Sequence, residues 1–372
     1  MAPRSLLARG LLVLLWLGSS GCGRSAPPPT AAPTAAAAGA PSAMAPPAPV
    51  GSVSAEPTPV RISVLRIIAE AGLFVAADRG YFAEVGLAPE FLTFESGARA
   101  LPVLAAQQIE AASGGFSPAF VNAIQRGVNV KLAAGLASDE PGHTASFLLL
   151  RKDLAESGEV RDWPDLRGRT MAIPPGRPGL GEYMAARAVA RGGLTLNDVD
   201  IVELPFADMV TALGNRTIDV AHTAEPLSTV AADRGVALKW RPASEYVPGS
   251  SPTMLTFGPS ILDKPPDLGQ RLMIAYLRGA RDYNNAFKYG VGRPEIVQIL
   301  INHTTVKDPT LYDRMSMQDV PPDGTINLAN LSDQLAFYVE RGALPDTIDV
   351  QSLLDDRYRA AAVQFLGPYR GP

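Results

Sequence analysis

The side chains that could carry out chemistry are few in this chain. It holds three histidines and one cysteine. His143 and His222 each fall near a predicted loop, where a neutral imidazole could act as a base or as a hydrogen-bonding group. His303, in "INHTTVKD", is interpreted as structural. No third ligand accompanies the first two, so no metal site is expected. Cys22 alone can form neither an intrachain disulfide nor a cysteine-based zinc site.

The motifs of common enzyme classes are absent from the sequence. It has no G-x-S-x-G, no H-E-x-x-H and no G-x-G-x-x-G after a predicted strand. The net charge is −4, from 33 Lys and Arg against 37 Asp and Glu, and no basic patch stands out. Nucleic acid is therefore not expected as a partner. These observations favour a monomeric binding protein with no catalytic residue and no cofactor.

The candidate ligand-binding residues lie in five predicted loops. In open parallel sheets, ligands bind at loops that follow the carboxyl ends of strands. Such loops are predicted at 70–74, 95–97, 113–117, 174–181 and 222–225. The candidates are Glu70, Phe74, Glu95, Ser96, Ser113, Gly115, Phe116, Ser117, His143, Gly176, Arg177, His222, Thr223 and Glu225.

Two roles remain open for several of these candidates. Phe116 could stack on a planar ligand or belong to the core. Glu225 could cap its own helix or accept a hydrogen bond from a ligand amine or ring N–H. The Gly/Pro-rich stretch 174–181 could be a tight turn or part of the site, and its Arg177 could pair with a ligand anion. Ser117 and Glu225 each precede a proline that begins a helix, and the backbone N–H groups there favour an anion or a polar acceptor.

The elements that position these loops alternate between strand and helix. "VRISVLRII" and "LAPEFLTF" have the character of strands, and a helical pattern ending at Gly86 separates them. Alternation of this kind is typical of parallel α/β units. A repeat relates 108–132 to 217–240: Glu110 corresponds to Asp219, and Arg-Gly-Val follows in both copies. Two similar modules in one chain indicate two similar lobes.

The predicted fold class is α/β with two lobes, each a sheet flanked by helices. Strand candidates at 144–154 and 251–258 would carry the chain from one lobe to the other and back. Residues 60–146 and 256–372 are assigned to lobe one, and 147–255 to lobe two. Facing each other across a cleft, the lobes would bring the five loops together.

The first 59 residues have the character of a targeting segment and a tether. Arg4 and Arg9 precede an apolar run at 11–17, too short to span a bilayer, and small residues lead to Cys22. The order resembles a lipoprotein signal at 1–21, with Cys22 as the lipidated residue. Ser19 stands where that motif prefers leucine, so an ordinary signal peptide is the alternative. The Ala/Pro-rich stretch 22–59 buries too little apolar surface to fold and is interpreted as a disordered tether.

Longer stretches resemble one known family. They are "GLFVAADRGYFAEVGL", "SGGFSPAFVNAIQRGVNVKLAAG", "FLLLRKDL", "DLRGRTMAIPPG", "DVDIVELPFADMVTALGNRTIDVAHTAEP" and, near the C-terminus, "LYDRM" and "LAFYVERG". They resemble the SsuA/THI5-like substrate-binding proteins of NitT/TauT-type ABC importers. The resemblance implies a type II periplasmic-binding-protein fold, two lobes joined by crossing strands, that closes on a small solute.

The resemblance also implies partners and a location. An ABC permease and its ATPase would receive the solute, and a lipid on Cys22 would hold the protein at a membrane of the cell envelope, on its periplasmic or extracytoplasmic side. The solute would be a pyrimidine-type vitamin precursor or an organic anion such as a sulfonate. Two other functions stay open: an enzyme acting on a small nitrogen heterocycle with a cleft histidine as base, and an envelope ligand sensor.

Overall fold

In the computed structural model, which describes residues 56–346 and 348–372, ten strands form two five-stranded sheets. The predicted signal segment 1–21, Cys22 and most of the predicted tether lie outside the described residues. The strands are β1 (Thr58–Val64), β2 (Leu87–Thr93), β3 (Ala111–Gly114), β4 (Lys131–Asp139), β5 (Ser146–Arg151), β6 (Thr170–Ile173), β7 (Asp200–Glu203), β8 (Val220–Ala224), β9 (Ala237–Pro242) and β10 (Ser250–Phe257).

Helices of very different lengths flank the sheets. They are α1 (Ala71–Asp78), α2 (Tyr81–Glu84), α3 (Gly97–Ala105), α4 (Pro118–Gln125), α5 (Lys152–Ser157), α6 (Leu180–Ala190), α7 (Phe206–Gly214), α8 (Leu227–Asp233), α9 (Ala243–Tyr246), α10 (Pro259–Leu262), α11 (Asp267–Tyr289), α12 (Arg293–His303), α13 (Leu328–Glu340) and α14 (Arg357–Leu366). None of those in the described part of the chain has both the length and the apolar character needed to cross a bilayer.

The two sheets have the same topology, and we call the parts of the chain built on them lobe one and lobe two. The first sheet has the order β2-β1-β3-β10-β4, and the second β7-β6-β8-β5-β9. In each, four strands run parallel to one another, and the strand at the fourth position of the order is antiparallel to both of its neighbours. This strand is β10 in the first sheet and β5 in the second, and it is the first strand that follows the crossing from the other sheet. The crossing segments are 140–145 and 243–249. The predicted α/β fold with two flanked sheets is therefore confirmed.

The sequence repeat corresponds to equivalent positions in the two sheets. One copy contains β3, α4 and β4, and the other β8, α8 and β9. The two acids matched by the repeat make equivalent hydrogen bonds. Glu110 accepts hydrogen bonds from the backbone N–H of Arg61 at 2.7 Å and from its guanidinium at 2.7 Å. Asp219 accepts from the backbone N–H of Thr170 at 3.1 Å and from the guanidinium of Arg151 at 2.8 Å. Each acid thus joins the strand that follows it to a neighbouring strand.

One lobe boundary differs from its prediction. Residues 250–255, assigned to lobe two from the sequence, lie in β10 and pair with β3 and β4 of the first sheet. The reason is a contact between residues distant in sequence: the Ser250 hydroxyl donates to buried Asp139 at the end of β4, at 2.6 Å. This bond fixes the start of β10 in the first sheet. The remaining division into lobes stays a prediction.

The core consists of three apolar clusters. One lies within lobe one, around β1, α1 and α11, and a smaller one lies within lobe two on the outer face of its sheet. The third holds side chains from both sheets together with α6 and α13. Two glycines allow the closest helix contact, because a Cβ on Gly279 of α11 would lie 2.1 Å from the carbonyl oxygen of Gly72 in α1.

Candidate functional site

Two predicted loops of lobe one touch through their backbones. A Cβ on Gly114 would lie 2.5 Å from the Cα of Gly97, so only glycine fits at this contact. The loop after β2 and the loop after β3 are thereby brought together at the carboxyl edge of the sheet. A cavity of about 20 Å³ lies beneath them, with room for roughly one water molecule. Its lining includes Gly97, Ser113, Gly115, Ser117 and, on the apolar side, Leu101, Leu104, Ala112 and Phe120.

Glu70 is a fully buried carboxyl group at this edge. It accepts hydrogen bonds from the backbone N–H of Leu65 at 2.7 Å and of Ile67 at 3.3 Å. Burial raises the pKa of Glu70 to about 7, and the adjoining Ser113 hydroxyl and the backbone N–H groups act in the opposite direction. The hydroxyl of Ser113 is itself buried and lies beside the Glu70 carboxyl group, close enough to act on its pKa. The two groups form a buried polar pair close to the loop contact.

The other lobe-one candidates near helix starts differ in exposure. Ser96 caps α3, its Oγ accepting from the backbone N–H of Arg99 at 3.3 Å. Ser117 precedes α4 and its side chain makes no capping bond, so it is not used by the helix. The side chain of Glu95 is 88% exposed and lies 3.9 Å from Arg99. Glu95 is thus at the outer rim of the loop.

Both phenylalanine candidates lie in the core. Phe74 is fully buried, stacks on the His303 ring with centroids 5.0 Å apart and meets Phe91 edge-on at 5.3 Å. Phe116 is 2% exposed, and its backbone carbonyl accepts a hydrogen bond from the Tyr338 hydroxyl at 3.1 Å. Of the two roles open for Phe116, the structure favours packing. Neither ring presents a free face for stacking on a ligand.

The Gly/Pro-rich loop of lobe two is a tight turn held by two acids. Glu203 Oε1 accepts from the backbone N–H of Gly176 at 2.6 Å and of Arg177 at 3.2 Å. The Arg177 guanidinium donates to Glu182 Oε1 at 2.7 Å, and the same oxygen accepts from Arg341 at 2.9 Å. Arg177 is therefore paired, and a ligand anion would compete with Glu182 for it.

This loop approaches lobe one directly. A Cβ on Gly115 would lie 3.2 Å from the Pro252 carbonyl oxygen and 3.6 Å from Leu180 Cδ2, at the start of α6. Gly115 belongs to the loop after β3, and Leu180 is the first residue of α6, directly after the loop that follows β6. Loops at the carboxyl edges of both sheets thus face each other here, so the described structure has its lobes close together.

His222 is a buried histidine without a partner. It lies in β8, the middle strand of the second sheet, and neither ring nitrogen makes a hydrogen bond to any residue that the structure describes. Burial lowers its pKa to about 4, so the ring is neutral near pH 7. Two nitrogens able to donate or accept are thus left unused close to the carboxyl end of β8. The neighbouring Thr223 hydroxyl is satisfied by Ser228 Oγ at 2.8 Å.

The Glu225 carboxylate already has hydrogen-bond partners, and His143 lies in an exposed turn. Glu225 caps α8, accepting from the backbone N–H of Thr229 at 3.0 Å, and also binds Lys239 and the backbone N–H of Ser316 at 3.1 Å. The capping role is therefore the one that the structure supports. His143 is exposed in the turn after β4, where its backbone N–H donates to Glu140 at 2.9 Å and its carbonyl accepts from Asp319.

Four residues around the site were not singled out from the sequence. Glu182 and Arg341 form the ion pair beside Arg177, Tyr338 holds Phe116, and Asp139 joins the crossing segments. Glu182 could have been noticed as an acid in the first turn of α6, but its partners are distant in sequence. Asp139 could have been noticed as the only acid in a strand that is buried along most of its length.

Two further observations concern metal binding and a second cavity in the described residues. Within 56–346 and 348–372, no group of three or more His, Cys, Asp or Glu side chains is placed to hold a metal ion. A cavity of about 390 Å³ lies elsewhere on lobe one, between α2, α11 and the residues after α14, where Arg278, Arg281 and Tyr369 line it. Its walls come from lobe one alone, so it is separate from the facing loops.

Solved structures share this architecture at low sequence identity. A ligand-binding component of an ABC-type import system from Staphylococcus aureus is 15% identical, with 82% of this chain and 99% of that chain covered and a TM-score of 0.65. The periplasmic aliphatic sulphonate-binding protein SsuA from Escherichia coli is 16% identical, with 81% and 93% covered and a TM-score of 0.64. The desulfurization enzyme DSZB is 14% identical, with 83% and 99% covered and a TM-score of 0.59.

These matches identify the fold as the type II periplasmic-binding-protein fold, as predicted. They include both binding proteins and an enzyme, so the fold does not by itself decide between the two. No curated protein matches the chain by sequence. A family model described as NMT1/THI5 like matches residues 68–286, which is more than half of the chain. The chain therefore belongs to the NMT1/THI5-like family, in agreement with the family predicted from its motifs.

Proposed function

We propose that this protein is the solute-binding component of an ABC importer. The observation that carries the proposal is the contact between Gly115 and Leu180, which brings loops from the carboxyl edges of two separate sheets face to face. A solute held there would touch both lobes and would favour the arrangement in which they are close. The ABC-type import component and SsuA have the same fold, which is consistent with this role.

The chemistry at the facing edges favours a small polar or heteroaromatic solute. The ring nitrogens of His222, which have no hydrogen-bond partner among the described residues, can bond a ring nitrogen, an amine or a hydroxyl. The starts of α3, α4 and α6 provide backbone N–H groups for an oxygen-rich group such as a sulfonate. Pyrimidine-type vitamin precursors and organic anions are thus the two ligand classes to test. Glu95, Ser96, Ser117, Gly176 and Arg177 are the rim residues proposed to contact them.

The proposal also includes an anchor and partners. Cys22 would carry a lipid, and the Ala/Pro-rich stretch after it would act as a leash that keeps the lobes close to a membrane permease and its ATPase. Local concentration at the permease would then be set by the tether length. Replacing Cys22 by Ser should abolish incorporation of a palmitate analogue. Labelling that persists in that variant would contradict the anchor and leave solute binding unaffected.

The binding role is tested by isolating the full chain and identifying what it holds. Mass spectrometry of the protein purified under native conditions should reveal a bound small molecule. Calorimetry against alkanesulfonates, nitrate and aminopyrimidines should then give a saturable signal. The variant Gly115→Val, which places side-chain atoms between Leu180 and Pro252, should lose that signal. Gly214→Ala, at the end of α7, is the matched control. Absence of any bound or binding solute would contradict the proposal.

An enzyme remains the second candidate, because His222 is a neutral, buried imidazole and an enzyme shares the fold. Such a ring could accept a proton from a bound heterocycle. Turnover of an aminopyrimidine would have to disappear in His222→Asn while binding remained. Binding without turnover in the unaltered protein would exclude this candidate for that substrate.

A further inference from the structure

Helix α13 lies between the two lobes, although the chain segment that contains it was assigned to lobe one. Its buried Leu331 and Tyr338 belong to the apolar cluster that also holds Met254 of β10 and Tyr183 of α6. Strand β10 is part of the first sheet, and α6 follows β6 of the second. One helix of 13 residues, about 20 Å long, therefore packs on elements of both lobes.

The contacts of α13 with lobe one are buried or part-buried and occur at both of its ends. Near its start, the Asn327 amide donates to the Gly249 carbonyl at 2.9 Å, and Asn330 Oδ1 accepts from the backbone N–H of Ser251 at 3.3 Å. Near its end, the Tyr338 hydroxyl donates to the Phe116 carbonyl at 3.1 Å. Tyr338 is fully buried. These bonds attach the helix to the crossing segment 243–249, to β10 and to the loop after β3.

Among the described residues, the polar contacts of α13 with lobe two fall on α6, and one of them is buried: the Asn330 amide donates to the Tyr183 hydroxyl at 3.0 Å. Asp333 accepts from Arg187 Nε at 2.7 Å and from the Tyr183 hydroxyl at 2.7 Å. Arg341, directly after α13, donates to Glu182 at 2.9 Å. The charged groups here are partly open to water, with Asp333 45% and Arg341 40% exposed. Separation from α6 would break these buried and part-buried bonds, whereas the chain on both sides of α13 is attached to β4 of lobe one. The Gly324 carbonyl accepts from the backbone N–H of Gly135, and the backbone N–H of Asp355 donates to the Leu132 carbonyl, both at 2.9 Å.

Glu182 has a second cation that stays with it. Its side chain is 1% exposed, and Arg177, in the loop just before α6, donates to the same oxygen at 2.7 Å. If α6 moved away from α13, Glu182 would lose Arg341 and keep Arg177. A buried carboxylate left without any cation would be strongly destabilising. Because Arg177 would remain bound to Glu182, the two helices could separate and rejoin without leaving a buried carboxylate unpaired.

We propose that α13 moves with lobe one and that its contact with α6 breaks when the lobes separate. In this proposal the ion pair between Arg341 and Glu182 is a latch: it holds the two helices together at the C-terminal end of α13 while the lobes are close. The proposal rests on the proposed function only in assigning the motion to solute capture. Arg341 is a positioning residue: it acts through Glu182 and Arg177 on the Gly/Pro-rich loop and need not touch the solute. Because it follows the end of α13, the far end from the crossing segment, its ion pair undergoes a large displacement on opening.

The test measures the distance between the lobes in the full chain without added solute. Spin labels would be placed at two exposed positions, Gln125→Cys in lobe one and Arg191→Cys in lobe two, in a Cys22→Ser background. Double electron–electron resonance then gives the distribution of interlobe distances. Arg341→Gln should raise the fraction of long distances about two- to fivefold. Arg341→Lys, which keeps the charge, should restore most of the short distances.

The controls separate the latch from general loss of structure. Arg357→Gln removes an exposed ion pair with Asp355 that involves α14 alone, and it should leave the distribution unchanged. Asp333→Asn should shift the distribution in the same direction as Arg341→Gln, because it weakens the same contact. Distances in Arg341→Gln that equal those of the unaltered chain would overturn the proposal. A failure to find any solute by calorimetry would count against the proposed function and leave this measurement unaffected.

Discussion

The Ser250 hydroxyl donates a hydrogen bond to Asp139 Oδ2 at 2.6 Å, and both residues are fully buried. Asp139 ends β4, where the chain leaves the first sheet, and Ser250 begins β10, where it returns. The other carboxylate oxygen of Asp139 accepts from the Thr144 hydroxyl at 2.5 Å, within the outgoing segment. One carboxylate thus joins both segments that connect the lobes.

Asp139→Ala should lower the free energy of unfolding by about 3 kcal/mol, because two buried hydroxyls lose a charged acceptor. Urea denaturation followed by fluorescence measures the change. Asp200→Ala, an exposed position in β7, is the control and should change stability by less than about 0.5 kcal/mol. Equal losses in the two variants would show that Asp139 has no special role in joining the crossing segments.

Gly114→Ala should destabilise the protein by about 1–3 kcal/mol, because the added methyl group would lie 2.5 Å from the Cα of Gly97. It should also weaken solute binding, since the two loops would be pushed apart. Gly214→Ala adds a methyl group whose nearest neighbour is 3.4 Å away, and it should be tolerated. The comparison uses thermal unfolding and calorimetry. A Gly114→Ala protein with unchanged stability would mean that the loop contact is loose.

Glu70 should make the protein less stable as the pH rises. Its pKa is about 7 in the folded chain and about 4.3 when unfolded, so the folded state holds the proton more tightly. The stabilisation is complete below about pH 4 and is lost as the pH rises through about 7, a change of about 3 kcal/mol. Glu70→Gln should lack this decline when unfolding is measured across that range. Parallel pH profiles for the two proteins would contradict it.

His222 should act in the opposite direction. Its pKa is about 4 in the folded chain, against about 6.5 when unfolded, so the unfolded state holds the proton more tightly. Stability is therefore lost as the pH falls from about 6.5 to about 4, again by about 3 kcal/mol. Between these limits Glu70 and His222 offset each other, so the single variants are needed. His222→Asn should decline more steeply than the unaltered protein as the pH rises from about 5 to 6.5. A profile equal to that of the unaltered protein would show that the ring is hydrated.

The sequence predicted the parts of the fold that depend on nearby residues. The repeat identified Glu110 and Asp219 as equivalent, and both join neighbouring strands in the same way. The Gly/Pro-rich loop before α6 and the proline that begins α4 were recognisable from local turn chemistry. These features follow from backbone preferences over a few positions, which one sequence contains.

The pairing of side chains could not be predicted in the same way. Arg177 was a plausible partner for a ligand anion until its acid, Glu182, and the competing Arg341 were located, and Arg341 is 159 positions from that acid. Phe116 was ambiguous because Tyr338, which holds its carbonyl, lies 222 positions away. The start of β10 was misplaced by a few residues because Ser250 is fixed by Asp139, 111 positions earlier. Contacts at such separations depend on the whole topology.

The apolar cluster shared by the two sheets has a consequence for unfolding. It contains Leu132 and Met254 from the first sheet and Leu148 and Met171 from the second. Each lobe also has an apolar cluster of its own, but this third cluster is complete only when both sheets are present, so we expect the two halves to melt together. Scanning calorimetry should record one cooperative transition, with a calorimetric enthalpy equal to the van't Hoff enthalpy. A fragment limited to the second sheet would then be a substrate for proteolysis, however complete its strands.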